Sequence, residues 1–243
     1  MAWGLLGHRI VGEIADQYLT GKARLEIRKI LGSESIAMSS NWADFIKSDS
    51  TYDYLEVWHY ADFSKSLDRA GFMNELKADT SVDAYTKINF LVKALKDPAV
   101  AKEKKLMYLR LLIHIVGDVH QPLHVSRDNT RGGNDIKVQW FGAASNLHRV
   151  WDSDLIDNQK LSYTEYARAI NSPTLVQLQA WQRQSVNEWF FESYTLSESL
   201  HNELSQPNPR LGYEYNFKYL DTLNTQLLKG GVHLAGLLNQ IFG

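Results

Sequence analysis

The spacing of the apolar residues limits most what this chain can fold into. Over residues 10–18, 25–31, 84–95, 104–119, 175–191 and 217–238 they recur at three- and four-residue steps. That period builds one face of an α-helix. The alternation expected of strands is weak, and its best runs, 54–60 and 136–141, are short. Gly32 suits a helix end, and Asn41 and Ser145 are placed to cap helices opening at Trp42 and Asn146. Arg131-Gly132-Gly133-Asn134 reads as a turn. No linker, low-complexity tract or internal repeat breaks the chain, and no apolar run reaches membrane-spanning length. The expectation is an all-α, mostly helical fold, with residues 1–243 forming a single domain.

The 243 residues include no cysteine. That excludes disulfides, thiol catalysis and Cys-based metal sites, so a transition metal would have to be held by the eight histidines and by carboxylates. Two places offer such ligands together. His114 and Asp118 are four residues apart, and on a helix this spacing puts them on one face, about 40° apart in rotation. His148 and Asp152 repeat the pattern. One such pair alone is more often a buried polar contact; two in a cysteine-free helical chain suggest a zinc cluster in a cleft between helices. Pro122 can end the first helix and re-aim His124 toward the same cleft. Asp44 and His59 are further candidates, whereas His8 is uninformative by spacing. His120, His201 and His233 lack a carboxylate at useful spacing and read as surface residues or as supports behind the ligands. The formal net charge of −2 argues against a basic nucleic-acid-binding face.

The ordered blocks Trp3-Gly4…Gly7-His8, Trp42-Ala43-Asp44, Trp58-His59, His114…Gly117-Asp118…Gln121-Pro122-Leu123-His124, Gly132-Gly133-Asn134 and Asn146-Leu147-His148…Trp151-Asp152 carry a resemblance. The chain resembles the trinuclear-zinc nucleases: fungal single-strand nucleases, plant bifunctional nucleases and their bacterial relatives, with the zinc phospholipases C more distant. The blocks span residues 3–152, and the remainder matches only in its helical character.

The resemblance implies three Zn²⁺. Asp44, His59, His114 and Asp118 would hold one; Trp3 and His8 would hold a second, bridged to the first by Asp118; His124, His148 and Asp152 would hold a third, more open one. Family members bind through the free amine of an N-terminal Trp, but Met1 and Ala2 precede Trp3 here. Either they are a remnant that is removed, or the second site is incomplete. By the same resemblance, Asp44 assists an attacking water and Lys47 reaches a phosphate oxygen. Tyr60, Asp62 and Asn134 line a nucleobase pocket, with the Gly132-Gly133 backbone, Gly133 included among the substrate-binding residues, allowing close approach and Tyr60 standing where Phe is frequent. The activity implied is hydrolysis of single-stranded DNA and RNA at the P–O3′ bond to leave 5′-phosphates, together with 3′-nucleotidase activity. A secreted or periplasmic location is implied, with nucleotides as substrates, no membrane association and no obligate protein partner. The alternative on the same scaffold is a zinc phospholipase C, although that branch has Glu where Asp152 stands.

Overall fold

Helices dominate the described residues, 3–127, 130–204 and 207–243, of this computed structural model. Helices α1 (Leu5–Gln17) and α2 (Gly21–Leu31) lead through two one-turn helices, α3 (Ile36–Ser39) and α4 (Trp42–Phe45), to a 3-10 stretch over Ser50–His59 and strand β1 (Ala61–Phe63). Next come α5 (Arg69–Ala78), α6 (Ala84–Lys96) and α7 (Lys102–Asp118). A 3-10 turn at Pro122–His124, β2 (Val125–Arg127), β3 (Lys137–Trp140) and β4 (Ala143–Asn146) precede α8 (Leu147–Arg149), which runs through a π turn (Val150–Asp154) into α9 (Leu155–Asp157). The rest is α10 (Tyr163–Ile170), α11 (Leu175–Arg183), α12 (Val186–Glu203), β5 (Arg210–Leu211) and α13 (Tyr213–Phe242).

Helix α7 is the spine. Its first turns carry the exposed Lys102 and Lys104 and the half-buried Lys105, whereas every residue from Leu111 to Asp118 is buried. A helix end that is apolar on all sides must be enclosed by other elements, and α1, α4, α6 and α13 pack around it. Close approach comes from small residues. A Cβ on Gly231 of α13 would stand 2.5 Å from Ile14 of α1, and one on Gly12 would stand 2.7 Å from Ala37. Strands β1 and β2 pair in parallel, Ala61 opposite Val125, which draws the segment after His59 alongside the segment after His124.

Several local expectations change. Residues 54–60 do not form a strand; through His59 they are 3-10 helix, with Leu55 and Trp58 buried at three-residue spacing. The 175–191 periodicity is split into α11 and α12, because Gln184 is extended and the Ser185 side chain accepts the Glu188 N–H to start a new helix. The cap of α8 is Asn146, not Ser145, whose hydroxyl donates to Asp154 instead. Asn41 precedes α4 but makes no side-chain cap; its amide donates to the Leu5 carbonyl. Gly32 does end α2, with φ +71°. His120, His201 and His233 are all buried rather than superficial. His120 and His233 contact each other at 2.6 Å, and His233 stacks on Trp189.

Candidate metal centre

The buried end of α7 presents His114 and Asp118 side by side, with His114 Nε2 3.2 Å from Asp118 Oδ2. Around Asp118 the fold gathers His8 from α1 at 3.3 Å, His59 from the 3-10 stretch at 2.9 Å and His124 at 3.8 Å. Asp44 of α4 approaches His114 at 3.9 Å. The helix ends where expected, and the turn at Pro122 swings His124 back to within 3.6 Å of Asp152. His148 reaches Asp152 at 3.2 Å across the π turn, a helical irregularity common at functional sites.

Among the described residues, three sets of donor atoms close enough to share a metal result: His8, His114 and Asp118; Asp44, His59 and His114; and His124, His148 and Asp152. Their chemistry fits a cation. Three imidazoles have their Nδ1 atoms committed to backbone carbonyls, His114 to Ser40 at 2.6 Å, His124 to His59 at 2.8 Å and His148 to Gly132 at 2.8 Å. That fixes the tautomer and turns each Nε2 lone pair toward the cluster, the arrangement seen behind metal-binding histidines. Buried atoms left without a hydrogen-bond partner concentrate here: both ring nitrogens of His8, Nε2 of His59 and His124, Oδ1 of Asp118 and Oδ2 of Asp152. A buried polar atom without a partner costs about 1–3 kcal/mol, so a bound cation would relieve several such costs at once.

The electrostatics agree. Burial pushes the Asp118 carboxyl upward, but the facing His114 and His124, with hydrogen bonds from His114 and His59, hold it well below the usual range. For Asp44, burial again opposes ionisation and is outweighed by His114, His8 and Lys47, which bring it down to about 2. Both therefore stay ionised. Burial lowers His59 to about 4 and also lowers His8, keeping these rings neutral and able to ligate. Burial lowers His114, but the facing Asp118 and Asp44 outweigh it and shift it upward, so a metal bound there would compete with a proton.

Trp3 is fully buried, and its indole donates to the Gly117 carbonyl at 2.7 Å, one residue before Asp118. The next residue, Gly4, donates its N–H to the Asp152 carbonyl at 2.7 Å. The chain start is thus tied to two ligand-bearing elements, while Met1 and Ala2 lie outside the described residues. Lys47 sits at the mouth, its Nζ 2.6 Å from Asp44 Oδ1. Beside His124 and His148 lies a cavity of about 210 Å³ lined by Glu56, Tyr60, Asp62, Leu123, Arg131, Gly132 and Asn134. Gly133 is not in its wall; it faces Leu147 and Leu123. The glycine that the geometry requires is Gly132. Its φ is +57°, and a Cβ there would meet the Leu123 carbonyl at 2.4 Å and His148 Nδ1 at 3.0 Å.

Sequence reasoning missed four contributors. The Ser40 carbonyl holds His114, a backbone role with no sequence signal. Gln121 donates to Asp152 Oδ1 at 2.6 Å and accepts from the Leu123 N–H; it lies inside a recognised block but carries no ligand chemistry of its own. Glu56, which had no distinguishing pattern, and Arg131, read only as part of a turn, line the cavity.

Comparison with known proteins agrees in extent and in kind. The family model for S1/P1 nuclease matches residues 3–243. Endonuclease 3 of Arabidopsis thaliana is 26% identical over 269 residues, covering 100% of this chain and 90% of its own length. Nuclease P1 of Penicillium citrinum is 27% identical over 266 residues, covering 99% and 98%. Nuclease S1 of Aspergillus oryzae is 28% identical over 166 residues, covering 67% and 57%.

Proposed function

Because the chain belongs to the S1/P1 nuclease family, we propose that it works as a metal-dependent endonuclease, hydrolysing single-stranded DNA and RNA at the P–O3′ bond to leave 5′-phosphates. The same site would remove 3′-phosphates from nucleotides. The observation that carries this reading is the convergence of three His/Asp donor sets on one cleft, beside a cavity faced by Tyr60, Asp62 and Asn134. We read the cofactor as three Zn²⁺: one on Asp44, His59, His114 and Asp118, one on Trp3, His8 and Asp118, and one on His124, His148 and Asp152. Bound zinc supplies Lewis acidity, an acidified water and counter-charge for phosphoryl oxygens.

The chain's own residues do the positioning. Asp44, ionised and only partly buried, accepts a hydrogen bond from the attacking water and aims it. Lys47 holds Asp44 in place and offers the remaining N–H groups to a non-bridging phosphate oxygen. Tyr60, partly exposed at the cavity wall, gives a π-face for an unpaired base, and Asp62 and Asn134 can hydrogen-bond its edge. Unpaired strands suit this site because only a splayed base can enter the cavity. We place residues 1–243 in one nuclease domain acting outside the cytoplasm, secreted or periplasmic, with no obligate protein partner. Among the described residues no helix is long and apolar enough to cross a membrane.

The test is the zinc-loaded protein on single-stranded DNA, RNA, a 3′-mononucleotide and phosphatidylcholine, with product ends mapped. Expected are 5′-phosphorylated fragments and phosphate release, with the lipid untouched. Lipid-only turnover would replace this reading with the phospholipase alternative, which the nuclease-named relatives do not favour.

A further inference from the structure

Six aromatic rings link the ligand-bearing turns to the α6–α7 hairpin. Trp42, two residues before Asp44, meets Tyr52 at 5.9 Å; Tyr52 stacks on Tyr54 at 6.4 Å; Tyr54 meets Trp58, the neighbour of His59, at 5.9 Å. From Trp58 the row continues to Phe90 of α6 at 6.4 Å and to Tyr108 of α7 at 5.4 Å. These rings are not all core. Tyr54 is 52% exposed and Phe90 42%, so part of the row lies open to solvent.

Cations accompany the rings. Lys87 Nζ lies 4.7 Å from the Trp58 ring centre and 5.6 Å from that of Phe90. Residues 84–110 hold six lysines and Arg110 against only Asp97 and Glu103, within a chain of net charge −2. Among the described residues lysine ion pairs are made by Lys29, Lys47, Lys218 and Lys229, and by none of those six. The Phe90–Tyr108 contact sets the register of this antiparallel hairpin. Lys93, one turn after Phe90, and Lys104 and Lys105, one turn before Tyr108, therefore lie toward the same end of it. The 3-10 stretch carries Asp53 and Glu56, which leaves phosphates to the hairpin side of the rings.

Exposed aromatic faces beside unpaired lysines are what a single strand needs when it is bound without base-specific readout. We propose that Tyr54, Phe90 and the lysines of the α6–α7 hairpin form a second binding track for the polynucleotide, away from the metal cleft and continuous with it through Trp58. The track takes nucleotides flanking the scissile bond, with bases on Tyr54 and Phe90 and phosphates on Lys87, Lys93, Lys104 and Lys105. This rests on the nuclease reading above and adds a preference for long strands over short substrates.

The test compares the zinc-loaded protein with the triple variant Lys93→Gln/Lys104→Gln/Lys105→Gln, whose positions are exposed at Lys93 and Lys104 and half-buried at Lys105, and with Phe90→Ala. Substrates are a dinucleotide, a 3′-mononucleotide and a 30-mer of single-stranded DNA over a salt series. For the 30-mer the triple variant is expected to lose about tenfold in kcat/KM at low salt. Its slope of log kcat/KM against log salt should flatten by about 2, roughly 0.7 for each lost phosphate contact. Phe90→Ala should lose about tenfold on the 30-mer through lost stacking. Dinucleotide and mononucleotide turnover should not change. Equal losses on short and long substrates, or no loss on the 30-mer, would overturn the track. Anisotropy with a non-hydrolysable phosphorothioate 30-mer reads the track independently of turnover: weaker binding by the triple variant supports it and unchanged binding overturns it. Failure of the unmodified protein to cleave any nucleic acid would count against the nuclease reading alone. Lysine-dependent capture on phosphatidylserine vesicles with unchanged strand binding would assign the patch to a membrane surface and reject the proposal.

Discussion

Asp118 faces four histidines at the buried end of α7, and few single side chains here do as much. In water such a carboxylate would be hydrated. Here its charge is held by imidazoles, two of which, His114 and His124, aim toward the cleft because a backbone carbonyl has claimed the other ring nitrogen, as one also has in His148 beside Asp152. Asp118→Asn keeps the shape and removes the charge. It is expected to release at least one zinc per chain and to slow phosphodiester hydrolysis by about a hundred- to a thousandfold. Metal analysis alongside turnover decides it; unchanged zinc content and rate would reject the bridging role. The spacing of His114 and Asp118 was legible in the sequence because a helix repeats every 3.6 residues. The support from Gln121 and Ser40 was not, since it depends on which segments meet in space.

Among the elements, the turn at Gly132 supports the third donor set, its carbonyl accepting from His148 Nδ1. Alanine there would have to adopt φ +57° and drive its Cβ into Leu123 and His148. Gly132→Ala is expected to cost about 2–4 kcal/mol and to empty the His124–His148–Asp152 set before the others, as read by thermal melting and zinc stoichiometry. The start of α6 allows a pH test. Asp83 caps this helix, with its side chain accepting the Thr86 N–H, yet burial and the nearby Asp79 raise its pKa to about 6 despite the Thr86 hydrogen bonds. A carboxyl with a raised folded-state pKa binds its proton more readily when folded. Its contribution to stability therefore grows as pH falls from about 6 toward its ordinary value of 3.8 and is absent at neutral pH. Asn caps nearly as well as Asp, so Asp83→Asn should raise Tm at pH 7.5 by about 2–4 °C, for about 1 kcal/mol, and flatten the dependence between pH 7 and 5. A lower Tm at pH 7.5 would show that the charge is needed. Element types followed apolar periodicity well, and the failures have local causes. The 3-10 stretch Ser50–His59 buries Leu55 and Trp58 at a three-residue step, and Ser185 restarts a helix where the apolar pattern runs on unbroken.

Across the whole molecule, the donor residues come from α1, α4, the 3-10 stretch, α7, the Pro122–His124 turn and the α8–π segment. Metal bound there ties separate parts of the chain together and stabilises only the folded state. Chelation is expected to lower Tm by at least about 10 °C, because a site filled a thousandfold above its Kd contributes about 4 kcal/mol and a domain of this size moves about 2–4 °C per kcal/mol. Calorimetry with and without chelator, followed by zinc readdition, checks this; an unchanged Tm would show that the donors are held in place without metal. The same scale revises the charge argument. A net charge of −2 counts neither the six positive charges that three Zn²⁺ would bring to one cleft nor the basic bias of residues 84–110.

By itself the sequence determined the helical class, the two His-x-x-x-Asp pairs and, through ordered motif blocks, the family. These are local or one-dimensional signals, set by backbone period and residue type. Only the tertiary structure decided that His8, silent by spacing, stacks on His114 at 3.8 Å, and that within the Gly132-Gly133 pair Gly132 is the position where a Cβ would collide with the site. It also showed that His120 and His233 are buried together away from the donor sets, and that a row of rings joins the cleft to the basic hairpin. Each depends on which surfaces the core brings together, and burial strengthens or silences a side chain's charge in ways spacing does not encode.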